Sequence, residues 1–302
     1  MDVMVLSKEV PSVVAKKTAV SDFLFQAALL AGLGRQARLV AQQAANGRFC
    51  PHADRSCIDA GSTLLLAMAA PGERELRLVQ RLADGTDGEQ RWLHTQFGKE
   101  GRRRQVTAVY LHNPAAAWQA AHTLSQTYAT EAAFRRAHAV LGPRGRIFKC
   151  QQPLPETSEV SKTSEVSVTW QLDRQTTPAE ALAAYGLRQG WTAVSAALTP
   201  LFGQSISPRS RPWSISVALP EPDRVRVGTT AWARQPEEPG KHQRLAQTIE
   251  QFGGNGRFAE ALYKLALTTH PPSLTTRIGR AVEVELWGEE VVGIEMYCCV
   301  GS

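Results

Sequence analysis

Residues 165–173 read Glu-Val-Ser-Val-Thr-Trp-Gln-Leu-Asp, and this stretch decides the expected fold. Apolar and polar side chains alternate along it, and successive residues of a β-strand point to opposite faces of the sheet. The stretch therefore predicts a strand with one face packed in a core and one polar face. The apolar face comprises Val166, Val168, Trp170 and Leu172, and the polar face comprises Ser167, Thr169, Gln171 and Asp173.

Similar strands occur in pairs along the whole chain, and helical segments separate the pairs. Tight turns rich in Gly, Pro and Asp predict that each pair is a β-hairpin. The strands are predicted at 62–69, 74–82, 91–97, 105–112, 146–151, 165–172, 213–219, 224–232, 280–287 and 291–300. The helices are predicted at 23–45, 114–141, 177–201 and 240–269, the second as one or two helices and the last with a break near Gly253-Gly254.

This order of elements favours an α+β fold in which an antiparallel β-barrel of about ten strands is surrounded by helices, because closure leaves no sheet edge exposed. A barrel of about ten strands encloses an interior wider than its own side chains fill, and this leaves space for a ligand. The alternative is an open sheet whose polar face meets solvent. We expect one barrel domain over 21–302, after a variable and loosely ordered lead over 1–20.

The composition is that of a globular protein with a full core, since 43% of its 302 residues are hydrophobic and 21% are charged. A formal charge of +6, from 34 basic and 28 acidic residues, suggests an anionic partner, although it is also an ordinary solubility charge. Five cysteines without regular spacing, no secretory signal and no long apolar run predict a cytoplasmic protein with no membrane partner.

Basic side chains on predicted strands are the candidate binding residues. Arginine suits phosphate because its planar guanidinium binds two phosphate oxygens at once. If the polar faces line one interior, these residues converge on a phosphate or diphosphate; otherwise each is an ordinary surface charge. The candidates are Arg77, Arg81, Lys149, Arg224 and Arg226, together with the Tyr297 hydroxyl.

Other motifs of catalysis and metal binding are weak. The sequence has no phosphate-binding loop, dinucleotide motif or nucleophile elbow. Cys50, His52 and Cys57 have the residue types of zinc ligands, but no second pair with suitable spacing accompanies them, so we predict no zinc site.

Three segments resemble the cyanobactin peptide prenyltransferases, a branch of the ABBA-fold prenyltransferases. The first, 46–59, reads NGRFCPHADRSCID, with a Gly-x-Cys-like stretch followed by Ser-Cys and an acidic residue. The hairpin 213–234 and the final strand 291–297, which ends in a tyrosine, are also similar to their counterparts. One departure is that Ser167, Thr169 and Gln171 stand where the family usually carries His, Arg or Lys.

The resemblance implies that the protein transfers a dimethylallyl or geranyl group from its diphosphate to a side chain or terminus of a ribosomal cyclic peptide or another natural product. It also implies Mg²⁺ as a cofactor that neutralises the diphosphate. Asp59 matches the acidic position after Ser-Cys and is the expected base, with Asp54 as the second choice. The expected acceptor pocket contains Glu283, Glu285, Gly228 and Trp232.

Two other functions remain open. One is a non-catalytic module whose basic strand face binds RNA or an acidic peptide. Its few interleaved aromatic residues argue against stacking on single strands, so we expect no nucleic acid partner. The other is a different barrel enzyme acting on a bulky natural product.

Overall fold

The computed structural model describes residues 13–34, 37–38, 41–42, 64–70, 76–81, 89–97, 103–153, 166–202, 206–209, 212–230, 240–268 and 277–299. Within these ranges the strands are β1 (Leu64–Ala70), β2 (Leu76–Arg81), β3 (Gln90–Phe97), β4 (Arg103–Tyr110), β5 (Gly145–Pro153), β6 (Ser167–Leu172), β7 (Trp213–Ala218), β8 (Arg224–Thr230), β9 (Arg277–Trp287) and β10 (Glu290–Cys299). The helices are α1 (Val13–Leu30), α2 (Pro114–Thr127), α3 (Glu131–Leu141), α4 (Pro178–Tyr185), α5 (Gly190–Phe202), α6 (Lys241–Gln251) and α7 (Gly256–Thr268).

The strands form one antiparallel sheet in the order β1-β10-β9-β8-β7-β6-β5-β4-β3-β2. Because β1 pairs with both β2 and β10, the sheet closes on itself. The predicted arrangement of an antiparallel sheet with helices is confirmed. None of the helices in the described ranges combines the length and the hydropathy that a membrane span requires.

The outer face of the sheet packs against the helices, as the alternation over 165–173 predicts. Val166, Val168 and Trp170 are fully buried in the core. The Trp170 ring stacks on Phe134 of α3, with centroids 6.5 Å apart. On β7, the Trp213 ring meets Trp191 of α5 edge to face at 5.1 Å. The other face of each strand is therefore left to line the interior.

The helix ends follow local sequence signals. Thr177 and Glu180 form a capping box at the start of α4, with Pro178 in the first turn, and Asn113 caps α2 before Pro114. The predicted helix over 177–201 is wrong in one respect. It is divided into α4 and α5 because Gly186 adopts φ +102°, a left-handed conformation that ends α4. The predicted break near Gly253-Gly254 is confirmed between α6 and α7.

The N-terminal helix also differs from the prediction. Helix α1 begins at Val13, so 13–20 of the segment predicted as a loosely ordered lead are helical. It ends at Leu30 because the chain turns at Gly32, where φ is +77°, and the described residues 37–38 and 41–42 of the predicted helix are again helical. Residues 1–12 of the predicted lead lie outside the described residues.

Candidate functional site

Polar side chains line the interior face of the sheet in two rows that follow the strand pairing. The rows are set by the antiparallel register, which brings directly opposed residues to the same face. The first row is Tyr110, Lys149, Thr169, Ser216, Arg226 and Glu285. The second row is Gln171, Ser214, Gly228, Glu283 and Glu295.

The deepest charges in the interior are Lys149 on β5 and Glu283 on β9. The Lys149 Nζ lies 3.6 Å from Glu283 Oε1, and the two side chains are only 6% and 7% exposed. Strands β6, β7 and β8 separate β5 from β9 in the sheet. The two side chains therefore meet across the interior. Burial of two opposite charges requires this kind of pairing, because each alone would lose its hydration without compensation.

A second ionic group lies near the start of β8 and the end of β9, next to the β7–β8 and β9–β10 turns. Its charges are more exposed. The Arg224 and Arg226 Nε atoms donate to the two oxygens of the Glu285 carboxylate, the second at 2.9 Å. Arg226 Nη1 also lies 3.9 Å from Glu295 Oε2. The arginine side chains retain 28% and 30% exposure. This Arg224–Arg226–Glu285–Glu295 group is called the arginine cluster below.

The pKa of Glu285 reflects two opposing effects. Burial alone would raise it, but the Arg226 and Arg224 guanidiniums outweigh burial and bring the pKa of this carboxyl below its ordinary value of 4.5. Glu285 is therefore ionised near neutral pH, and it holds both arginines on the interior face.

Aromatic rings form a wall beside Lys149. Its Nζ lies 5.8 Å from the centre of the Tyr110 ring, and the Trp92 and Phe148 rings lie 6.1 and 6.0 Å from that ring. Phe148 is inserted by a β-bulge between Ile147 and Lys149 in the pairing of β5 with β6. A wall of this kind stabilises a cation electrostatically and excludes water from it.

Of the predicted diphosphate-binding residues, Lys149, Arg224 and Arg226 lie on the interior face, Lys149 in one ionic group and the two arginines in the other. For Arg77, Arg81 and Tyr297 the structure describes the backbone pairing alone. The register opposes Arg77 to Gln96, Arg81 to Trp92, and Tyr297 to Ala67 and Ala281.

Asp54 and Asp59, the predicted bases, and Trp232, a predicted pocket residue, lie outside the described residues. Their roles stay predictions.

Two of the predicted acceptor residues, Glu283 and Glu285, form ion pairs that the sequence did not predict. Glu283 binds Lys149, and Glu285 binds both arginines of the cluster. Gly228 is directly opposed to Ser214 and Glu283, and their side chains lie beside its Cα.

Sequence reasoning missed three buried interior residues, Trp92, His94 and Glu295. Trp92 and His94 lie on β3, where the alternation is short and mixes Leu, His, Thr and Gln. A signal was available in that Trp92 and His94 are two residues apart, so they share a strand face. For Glu295 the available signal was again the strand alternation, which puts it on the same face of the final strand as Gly293.

The Mg²⁺ that the resemblance implies needs oxygen ligands, usually carboxylates. The described part of the chain contains no group of three His, Cys, Asp or Glu side chains that could hold a metal ion. A resident Mg²⁺ site therefore has no support in these ranges, and Mg²⁺ stays a prediction drawn from the family resemblance.

No protein-family model matches the chain, and no curated protein matches it in sequence. Solved structures do match it. The chain is similar to 5-dimethylallyltryptophan synthase from Streptomyces coelicolor, with a TM-score of 0.65 and 12% identity, over 93% of this chain and 96% of that one.

A second similar structure is the prenyltransferase PriB in complex with L-tryptophan and dimethylallyl thiolodiphosphate. Its TM-score is 0.60 at 11% identity, over 94% of this chain and 95% of that one. Both neighbours have the ABBA fold. At this level of identity the likeness establishes the fold of the chain, and the cyanobactin branch stays a prediction.

Proposed function

We propose that this protein is a prenyltransferase that moves a dimethylallyl or geranyl group from its diphosphate to a nucleophilic acceptor held in the barrel interior. The observation that carries the proposal is one row of the interior face. Along it, Tyr110 on β4, Lys149 on β5 and Arg226 on β8 place an aromatic ring and two cations on one enclosed surface. An allylic diphosphate needs both features, because it carries negative charge at one end and becomes cationic at the other.

Cations at the diphosphate stabilise the leaving group. When the bond between the allylic carbon and the diphosphate oxygen breaks, its electron pair leaves with the diphosphate, and the negative charge there increases. Lys149, Arg224 and Arg226 are the described cations for this role, and Arg77, Arg81 and Tyr297 are proposed to complete it. Fixed charges in a site with little water stabilise such a transition state more than water does.

The aromatic wall protects the allylic cation until the acceptor reacts. Tyr110 already faces the Lys149 ammonium at 5.8 Å, so this ring face is oriented towards positive charge. Trp92 and Phe148 extend the wall. The acceptor then forms the new bond to carbon with its own electron pair and loses a proton. Asp59, with Asp54 as second choice, is the proposed base, and Glu283 and Glu285 line the proposed acceptor side.

The acceptor is proposed to be a side chain or terminus of a ribosomal cyclic peptide, the class that 46–59 implies by resemblance. Tryptophan is the competing acceptor, because one fold neighbour is named for it and the other is bound to it. The two differ in size and charge, so a direct comparison separates them.

The test is to incubate the protein with dimethylallyl and geranyl diphosphate and a panel of cyclic peptides and tryptophan, with and without Mg²⁺. Mass spectrometry should detect the addition of one prenyl group to an acceptor. Arg91→Ala serves as the matched control for variants of interior cations, because Arg91 is exposed and its side chain binds Glu89. Absence of any product, together with absence of diphosphate binding by calorimetry, would refute the proposal.

A further inference from the structure

We infer that Gly228 is a positioning residue for Glu283: the missing side chain on β8 provides the space through which the Glu283 carboxylate reaches Lys149. The inference deepens the proposed function and rests on it for its catalytic consequence. Its structural part can be tested without any transfer activity.

The first step concerns the surface beneath the ion pair. Between Lys149 on β5 and Glu283 on β9, each of the three intervening strands contributes a short side chain to the interior face, beside the longer Gln171 and Arg226 of the same two rows. The short ones are Thr169 on β6, Ser214 and Ser216 on β7, and Gly228 on β8. Longer side chains there would fill the volume that the lysine and glutamate side chains now occupy.

The second step concerns Gly228, which is directly opposed to Glu283 in the register. A Cβ atom at position 228 would lie 3.3 Å from Glu283 Cγ and 3.8 Å from Glu283 Oε1. The same Oε1 atom lies 3.6 Å from Lys149 Nζ. A single added methyl group would therefore press on the side chain that carries the ion pair, and on a site that is almost fully buried.

The third step compares the contact that a Cβ at position 228 would make with Ser214 to the contact it would make with Glu283. The same Cβ would lie 2.7 Å from Ser214 Oγ, which is closer than the contact with Glu283. The Ser214 hydroxyl makes a weak 3.4 Å hydrogen bond to the Gly228 carbonyl oxygen. The Ser214 hydroxyl can relieve this contact by rotating about the Cα–Cβ bond, whereas relief at Glu283 Cγ must shift the side chain whose carboxylate faces Lys149. The main effect of a side chain at 228 should therefore pass through Glu283.

The structural test measures the effect of Gly228→Ala on the folding equilibrium constant by denaturant unfolding in three backgrounds. These are the wild type, Ser214→Ala, and the charge-free background Lys149→Met/Glu283→Ala. The last removes both charges, so that neither is left buried alone and the background folds. Overpacking of a tight interior predicts a loss of about tenfold or more in the first two backgrounds. In the third it predicts less than about threefold, because the displaced side chain is gone.

Val227→Ala is the matched control. Val227 is the preceding residue on β8, and it is fully buried on the opposite, helix-facing side of the strand. Its substitution should lower the folding constant by the same factor in all three backgrounds. Equal losses for Gly228→Ala in the wild-type and charge-free backgrounds would overturn the inference. So would a loss that disappears in the Ser214→Ala background.

The catalytic consequence has its own measurement. Because Glu283 lines the proposed acceptor side, Gly228→Ala and Glu283→Gln should each misplace the acceptor and lower kcat at least about tenfold. Binding of the unreactive dimethylallyl thiolodiphosphate should not weaken by more than about threefold, because Lys149 and the arginine cluster, the proposed diphosphate cations, are all retained. Unchanged kcat in Gly228→Ala would contradict the inference. If the wild type transfers no prenyl group at all, the proposed function fails, while the unfolding measurements still decide the role of Gly228.

Discussion

The interior holds two ionic groups of the same chemistry in different surroundings, the Lys149–Glu283 pair and the arginine cluster. The pair is almost fully buried, and its two members come from strands that are not neighbours. The cluster lies between the paired strands β8 and β9 with β10 beside them, and its arginines keep nearly a third of their exposure. The comparison shows that the pair is closed off from solvent, whereas the arginines of the cluster remain partly accessible to it.

Removal of one member of the pair should give the largest effect. Lys149→Met leaves the Glu283 carboxylate buried without its cation, which costs about 3–5 kcal/mol of unfolding free energy. Denaturant unfolding of the variant measures this loss. The double variant Lys149→Met/Glu283→Ala should recover part of it, because no buried charge remains. A single variant as stable as the wild type would show that the pair is not buried in the folded protein.

Removal of a cluster arginine should affect binding more than folding. Arg226→Ala should weaken the affinity for an isoprenoid diphosphate by about 10- to 100-fold, the value of one charge-assisted hydrogen bond. It should lower the unfolding free energy by less than Lys149→Met does, because Arg224 still binds Glu285 and the cluster is partly exposed. Calorimetry and unfolding measure the two effects. The opposite pattern, large in stability and small in affinity, would assign the cluster a structural role.

The anchoring of the cluster's turn can be tested separately. The Tyr185 hydroxyl of α4 donates to the Pro222 carbonyl at 3.0 Å, beside the first residues of β8. Burial raises the pKa of Tyr185 to about 12, so this hydroxyl remains a donor throughout the neutral range. Tyr185→Phe should cost about 1 kcal/mol of unfolding free energy. Loss of that size together with weaker diphosphate binding would show that the turn also sets the position of Arg224.

The smallest expected effect is a pH dependence from Glu285. Its pKa is lower in the folded protein than the ordinary 4.5, so the folded state binds fewer protons than the unfolded state. The stability that Glu285 contributes is complete above its unfolded pKa and is lost as the pH falls through its folded pKa. Unfolding measured between neutral pH and acid should therefore show a steeper decline for the wild type than for Glu285→Gln. Parallel declines would mean that the arginines do not bind this carboxylate.

The sequence predicted the fold through its strand alternation. Val166, Val168 and Trp170 were assigned to the packed face, and they are fully buried there. The predicted helix boundaries were less accurate where one glycine decided the end, as at Gly32 and Gly186. A glycine inside an apolar helical pattern does not reveal its φ angle, since that angle depends on how the flanking segments pack.

The sequence predicted the candidate site in part. Alternation assigned Lys149, Arg224 and Arg226 to polar strand faces, but it could not identify their carboxylate partners. The pairing of Lys149 with Glu283 depends on how the sheet curves, which no local pattern records. Thr169 stands where the resembling family usually carries a cation. It is directly opposed to Lys149 on the adjacent strand, where a second cation would be repelled.

The most direct test of the central claim is a calorimetric titration of the wild type, Arg226→Ala and Arg91→Ala with dimethylallyl thiolodiphosphate. We expect saturable binding of one equivalent to the wild type and to Arg91→Ala, and affinity about 10- to 100-fold lower for Arg226→Ala. No binding to the wild type, or equal affinity in all three proteins, would contradict a diphosphate site in the barrel interior.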